Sequence, residues 1–145
     1  MKLLLEDWKK FINQKSQSYP RGEKEDVDGV AKVIIFNEKD KILILKRAAH
    51  MNWMPGKWDL PGGHLKKEET AKQAIKREVK EETGLTIKKI IELGNINQIT
   101  IFKANTENKN KELSLDDENE DYKWVSPAKV SEYDFVPFLK DFIKA

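Results

Sequence analysis

Glutamates, one arginine and two glycines stand at fixed offsets in the middle of the chain, between residues 63 and 85. Written as a pattern, the segment is G-x5-E-x7-R-E-U-x-E-E-x-G-U, where U is a bulky aliphatic residue. The residues of the pattern are Gly63, Glu69, Arg77, Glu78, Val79, Glu81, Glu82, Gly84 and Leu85. Carboxylates at this density could hold a hard divalent cation, which neutralises charge on phosphate substrates. The chemistry that the pattern first suggests is therefore a metal-assisted reaction at a phosphate group.

The segment from Glu68 to Thr83 is predicted to be the helix that carries these carboxylates. It lacks Gly and Pro and is rich in helix formers. An apolar stripe at i, i+3, i+4 and i+8 predicts the face that packs inward; it consists of Ala71, Ala74, Ile75 and Val79. Gly84 is predicted to end the helix as a left-handed C-cap.

Glu78, Glu81 and Glu82 follow one another at i, i+3 and i+4, so they share one helix face within a turn. Like charges at this spacing repel, and Mg²⁺ relieves the repulsion while sharing its coordination shell with substrate phosphates. The alternative interpretation is a solvated acidic face on a highly charged chain. The patchy lysine partners at i, i+4 and the glycine-rich stretch Leu60 to Gly63 just upstream favour the metal site.

Length and composition predict one compact domain over residues 1–145, in which residues 1–25 form an N-terminal helical extension and linker. Charged residues make up 36% of the chain, yet the net charge is only +2, so no strong nucleic-acid or membrane field is implied. The absence of Cys excludes a disulfide framework, a thiolate metal site and a cysteine nucleophile. Glu6 and Asp7 interrupt the apolar start of the chain, so a cytoplasmic location is the default expectation.

The predicted order of elements is helix, strands, helix, strands, helix. Apolar and alternating runs predict strands over residues 30–36, 42–47, 86–93 and 97–104, and a last strand ending near Trp124. Ser126 and Pro127 are predicted as N-cap and first residue of a short helix. A C-terminal helix is predicted from the apolar stripe Phe138, Leu139, Phe142 and Ile143.

The pattern between residues 63 and 85 is a complete match to the Nudix box, and the chain resembles the Nudix hydrolases. The resemblance extends upstream to a Pro-Gly-x-Trp stretch that precedes Pro-Gly-Gly. It extends downstream to an acidic loop, Trp124 and the sequence Val-Ser-Pro, so that residues 28–135 are covered. It implies an α/β protein with the Nudix α/β/α sandwich and a mixed β-sheet.

The resemblance also implies a reaction: hydrolysis of a pyrophosphate bond in a nucleoside diphosphate derivative, with Mg²⁺ or Mn²⁺ as cofactor. The implied metal ligands are the carbonyl of Gly62 and the carboxylates Glu78, Glu81, Glu82 and Glu118. The implied catalytic set is Glu78, Glu81, Arg77, Glu118 and Glu120. Within it Glu78 is the first candidate for general base, Glu118 or Glu120 follows, and Arg77 orients a carboxylate of the box. Gly63, Glu69 and Gly84 are expected to support the site.

Three further side chains are predicted to contact substrate. Arg47 ends a strand near the glycine-rich loop and suits a phosphate, although an ordinary surface arginine is an equal alternative. Trp53, in a polar loop, and Phe102 could stack on a base. Trp58 and Trp124 are expected in the core, and His64 is expected to be structural.

The substrate is predicted from what the sequence shares with particular Nudix branches. Arg47-Ala48-Ala49 resembles the small mutator-type phosphohydrolases, which implies a nucleoside triphosphate, oxidised or not, cut to monophosphate and pyrophosphate. Hydrolases of ADP-ribose, dinucleoside polyphosphates or RNA 5′ ends remain alternatives, as does a catalytically silent nucleotide-sensing module. The implied partner is a small nucleotide; a homodimer is left open, a membrane is not expected, and a basic surface for RNA is not evident.

Overall fold

The computed structural model describes residues 29–96, 98–108, 111–137 and 139. The predicted extension over residues 1–25 and most of the C-terminal apolar stripe lie outside these residues. The elements are β1 (Val30–Phe36), β2 (Ile42–Arg47), β3 (Trp58–Asp59), β4 (Gly62–His64), α1 (Ala71–Thr83), β5 (Ile87–Ile96), β6 (Ile99–Thr106), β7 (Asn119–Val125) and a 3-10 helix (Pro127–Glu132).

The strands form one mixed sheet. β1 and β6 run parallel, with Val30 opposite Ile99 at one end and Phe36 opposite Asn105 at the other. β1 and β2 pair only next to their connecting turn and then separate. The short strands fill the gap between them, since β4 pairs with the first half of β1 and β3 pairs with the far end of β2. This separation opens the sheet on the side where the glycine-rich stretch lies.

Each face of the sheet has its own hydrophobic core. One core joins the sheet to the inward stripe of α1, where Ala74, Ile75 and Val79 are fully buried as predicted. The other core packs the opposite face against the 3-10 helix and the residues after it, among them Phe135 and Leu139. The predicted α/β class and mixed sheet are confirmed.

The ends of α1 follow from local hydrogen bonds. The helix begins after Thr70, whose side chain accepts a hydrogen bond from the Gln73 amide while the Gln73 side chain accepts one from the Thr70 amide. This capping box moves the start past the predicted Glu68. Gly84 ends the helix in the left-handed conformation, with φ 77°, as predicted.

Other boundaries differ from the sequence-based prediction by a few residues. β3 and β4 were not predicted from the sequence, because two- and three-residue strands leave no periodic signal. β5 continues to Ile96 and β6 begins at Ile99, so the second of these strands is shifted relative to the predicted 97–104. Within the described residues, no helix is long and apolar enough to cross a membrane.

Candidate active site

A cleft of about 580 Å³ opens where β1 and β2 separate. Its walls come from the start of β1, the end of β2, β4, one side of α1 and the loop before β7. The charged residues that line it are Lys32, Arg47, Asp59, Glu78, Glu82 and Glu118, and Gly62, Gly63 and His64 form the adjoining strand.

Gly62 brings the backbone of β4 against β1 more closely than any other residue would permit. Its φ is +136°, and a Cβ placed there would lie 2.0 Å from the carbonyl oxygen of Ala31. The Gly62 amide donates a hydrogen bond of 2.9 Å to Oε1 of Glu82. The close approach therefore fixes the position of one helix carboxylate relative to the sheet.

Gly63 makes room for a second helix carboxylate. A Cβ at this position would lie 2.8 Å from Cδ of Glu78. Because the glycine has no side chain, Glu78 can lie directly over β4 and line the cleft beside Glu82. The two glycines thus account for the tight packing of α1 against β4.

Arg77 connects the carboxylates of the pattern to one another. Its Nε and Nη2 donate to the two oxygens of Glu69 at 2.7 and 2.9 Å, a bidentate pair. Nη1 donates to Glu78 at 3.0 Å and to Glu81 at 3.2 Å, and Nη2 also reaches the carbonyl of His64. The hydrogen bond from Arg77 holds the pKa of Glu69 at about 2, and the same pairing raises the pKa of Arg77 above its usual range.

Glu82 is the buried carboxylate of the site, with only 7% of its surface exposed. Burial raises the pKa of Glu82 to about 8, and the neighbouring carboxylates Glu78 and Asp116 push in the same direction. Lys32 and the Gly62 amide oppose this rise without cancelling it. A buried acid in such a position is stabilised in its charged form if a cation binds beside it.

The loop before β7 brings two more carboxylates to Glu82. Oxygens of Glu82, Asp116 and Glu118 lie within 4.8 Å of one another. The loop is fastened to the end of α1 by hydrogen bonds from Ser114 to Thr83 and from Asp116 to Glu82, and to the end of β2 by one from Ala48 to Glu118. The fold therefore assembles an all-oxygen set of the kind that hard divalent cations prefer.

Glu81 and Glu120 lie apart from this cluster. Glu81 is 53% exposed and directs an oxygen to Arg77. Glu120 accepts a hydrogen bond from the Ala49 amide and lies 3.5 Å from the Lys46 ammonium. Of the two residues predicted on this acidic loop, the structure thus brings Glu118, not Glu120, to the cluster.

Cations and an aromatic ring also line the cleft. Arg47 lies over the ring of Trp53, 4.9 Å from its centroid, and donates to the Trp53 carbonyl at 2.8 Å. Buried Asp59 anchors both Arg47, at 3.7 Å, and Lys32, at 3.0 Å. Trp53 is 52% exposed and lines the cleft, as a stacking residue must.

The predicted contact of Phe102 with substrate is corrected by its position. Phe102 is only 3% exposed and belongs to the core between the sheet and α1. Its ring lies on the face of β6 that packs against the helix, so it stabilises the fold. Trp58 is in the opposite core, as predicted.

The family model described as "NUDIX domain" matches residues 27–145. The chain belongs to the Nudix family. The match includes every element that lines the cleft described above, among them the glycine-rich strand, the carboxylate-bearing helix and the acidic loop.

Individual Nudix proteins show the same similarity over shorter stretches. An uncharacterised Nudix hydrolase of Listeria innocua is 41% identical over 91 residues, which are 57% of this chain and 53% of that protein. The 8-oxo-dGTP diphosphatase of Escherichia coli is 44% identical over 57 residues, covering 39% of this chain and 43% of that protein. The chain thus spans about half the length of the curated relatives it matches. The crystal structure of the MutT protein from Methanosarcina mazei Go1 superposes with a TM-score of 0.63 at 29% identity, over 79% of this chain and 88% of that one.

Three residues of the site were not found from the Nudix pattern. Asp116 stands in a run of acidic residues in which no position is distinguished by spacing. Asp59 precedes the Pro-Gly-Gly stretch, and its pairing with two cations depends on strand register. Lys32 carries a weak signal, because a lysine inside the otherwise apolar run of β1 requires a buried partner.

Proposed function

We propose that the chain is a divalent-cation-dependent pyrophosphohydrolase that cuts a nucleoside triphosphate, oxidised or not, to nucleoside monophosphate and pyrophosphate. The observation that carries the proposal is the meeting of Glu82, Asp116 and Glu118 at a cleft that Arg47 and Lys32 also line. Acidic oxygens and fixed cations in one cleft suit a metal-bound polyphosphate.

The carboxylates fit Mg²⁺ or Mn²⁺ by their chemistry and by the state of Glu82. All three offer oxygen, and burial together with the nearby carboxylates raises the pKa of Glu82, so a cation bound beside it would stabilise its charged form. We assign metal binding to Glu82, Glu118 and Asp116, with Glu78 and the Gly62 carbonyl adjoining and Glu81 in a peripheral place. A bound cation would neutralise substrate phosphates and lower the pKa of a coordinated water.

Glu78 is the proposed general base. One of its oxygens is held by Arg77, which fixes the carboxylate while it lines the cleft next to Glu82. Glu118 is the alternative, whereas the contacts of Glu120 with Ala49 and Lys46 direct it elsewhere. If Glu78 is the base, Glu78→Gln should remove the acidic limb of the pH–rate profile and Glu118→Gln should keep it. The opposite result would assign the base to Glu118.

Arg47 and Lys32 are the proposed phosphate ligands, and Trp53 is the proposed base platform. Arg47 covers one face of Trp53, so a base stacking on the accessible part of the ring would extend an existing cation–π contact. The stretch shared with the Escherichia coli 8-oxo-dGTP diphosphatase supports a nucleoside triphosphate as substrate.

A substrate panel tests the proposal. The protein is incubated with Mg²⁺ or Mn²⁺ and nucleoside triphosphates, 8-oxo-dGTP, ADP-ribose, dinucleoside polyphosphates or triphosphorylated RNA, and products are separated by chromatography. We expect a nucleoside triphosphate to give nucleoside monophosphate and pyrophosphate. We expect no turnover in EDTA. Turnover of ADP-ribose alone would refute the triphosphate assignment while retaining pyrophosphate chemistry.

A further inference from the structure

A second cleft lies at the opposite end of the sheet from the candidate active site. Its volume is about 560 Å³, and it is formed by the β1–β2 turn, the start of β5, the end of β6, residues around 111 and β7. The two clefts lie at opposite ends of β1, but they adjoin at the β2–β7 pair, where Leu45 of the first cleft is the cross-strand partner of Tyr122 of the second. Among the described residues, none lines both clefts.

Positive charge dominates this second cleft. Its walls contain five lysines and three glutamates: Lys39, Lys41, Lys88, Lys89, Lys111, Glu38, Glu107 and Glu112. The lysines come from three separate segments of the chain and are all exposed. The excess of cations around a concave surface suits an anion of several charges.

Two aromatic side chains lie in the same cleft. Tyr122 and Trp124 are alternate residues of β7, so both point to the same face of the sheet, about 7 Å apart. Both are partly exposed rather than buried in the core that they adjoin. Asn105 and Thr106 add hydrogen-bonding groups at the end of β6. Aromatic rings among lysines are the combination by which proteins hold unpaired bases and their phosphates.

We propose that this cleft binds single-stranded nucleic acid, with backbone phosphates against the lysines and bases against Tyr122 and Trp124. A duplex keeps its bases stacked inside and could not use the two rings. A free phosphate ion could contact the lysines but would make no use of the two aromatic rings. The proposal is independent of the proposed hydrolysis, because the two clefts share no residue and the expected ligand needs no pyrophosphate.

Fluorescence anisotropy tests the proposal with the full chain in EDTA, so that hydrolysis cannot consume the probe. The probe is a labelled oligouridylate of about ten nucleotides with a 5′-hydroxyl, which offers the active site no pyrophosphate. We expect saturable binding with a Kd between about 1 and 100 µM at low salt. If four lysines contact phosphates, raising salt from about 50 to 200 mM should weaken binding by about fiftyfold.

Matched variants locate the binding. The double variant Lys39→Glu/Lys88→Glu should weaken binding by about tenfold or more, since it reverses two charges in the cleft. Lys72→Glu/Lys76→Glu makes the same change on the exposed face of α1 and should leave Kd within about threefold. Tyr122→Leu should also weaken binding, and circular dichroism checks that each variant is folded.

Three results would overturn the proposal. They are no saturable binding of the oligonucleotide, equal losses in the two lysine variants, and equally tight binding of labelled uridine monophosphate. The last result would show a mononucleotide site. Loss of triphosphate hydrolysis is a different failure, and it would leave these binding measurements unaffected.

Discussion

The fold buries the carboxyl group of Glu82, which favours its neutral form. The proposed chemistry nevertheless needs this group in its charged form. A hydrogen bond from Gly62 fixes one of its oxygens, burial raises its pKa, and the carboxylates of Glu78 and Asp116 raise it further. The protein alone stabilises the charged form incompletely. In our account the metal ion supplies the missing positive charge, which ties metal affinity to this one side chain.

Replacing Glu82 should therefore reduce activity more than replacing its neighbour. We expect Glu82→Gln to lower kcat/KM by about a thousandfold, because a ligand is lost at the centre of the cluster. Glu81→Gln is the matched control, with the same chemical change one residue away at a side chain that is 53% exposed. Steady-state kinetics in saturating Mg²⁺ checks this order, and a larger loss at Glu81 would contradict the placement of the metal.

The raised pKa of Glu82 predicts a pH-dependent stability of the metal-free protein. The pKa rises from an ordinary 4.5 to about 8 on folding, so between these values the unfolded chain releases the proton and the folded one keeps it. Stability contributed by protonated Glu82 is therefore full below pH 4.5 and is lost as pH rises towards 8. Glu82→Gln in EDTA should be more stable than the parent at pH 9, on the order of a few kcal/mol, and similar at pH 5.

Urea unfolding at the two pH values measures this difference. A difference in unfolding free energy of the same size at both pH values would mean that the glutamine acts through packing and not through the charge.

Glu69 behaves in the opposite way, because Arg77 lowers its pKa to about 2. The stability that charged Glu69 contributes is present above the ordinary pKa of 4.5 and is lost as pH falls towards 2.

At this scale the sequence predicted the residue types well and their contacts unevenly. Arg77 and Glu78 could be placed because they share one helix, where spacing determines proximity, and Glu69 lies just before the first turn of that helix. Asp116 and Lys32 could not, since each reaches the cleft through long-range strand pairing and loop docking. Phe102 was placed wrongly, because alternation along β6 does not say which face the helix covers.

Among the elements, β4 does the most to shape the site although it is only three residues long. It pairs with β1, and α1 packs against it where Gly63 leaves room for Glu78. The Gly62 amide donates a hydrogen bond to Glu82. The carboxylates on α1 are useful only because this strand holds the helix at close range. The long elements were predicted to within a few residues at their ends, but β4 has too little periodicity to be recognised.

Gly62→Ala should consequently destabilise the whole fold. The added Cβ would lie 2.0 Å from the Ala31 carbonyl oxygen, so β4 must move away from β1, on the order of 3 kcal/mol. Gly56→Ala is the control: φ is also positive, at +75°, but no atom lies within 4 Å of the new Cβ. Only the left-handed backbone penalty of about 1 kcal/mol applies there. Equal changes in unfolding free energy would disprove the close-approach argument.

Across the whole molecule, the mixed sheet separates two surfaces of different character. The acidic cluster and the Gly-rich strand lie at the start of β1, and the lysine-lined cleft lies at its end. The sequence showed a chain with interspersed charges and a net charge of only +2. Only the fold shows how these charges are sorted, because the sorting comes from strand ends that are distant in sequence.

The central claim is that water cleaves a nucleoside triphosphate between its α- and β-phosphates, which gives nucleoside monophosphate and pyrophosphate. Hydrolysis in ¹⁸O-labelled water, followed by mass spectrometry of the products, tests it directly. We predict one labelled oxygen, found in the nucleoside monophosphate or in pyrophosphate, with no nucleoside diphosphate formed. Label in orthophosphate with nucleoside diphosphate as the other product would contradict the account.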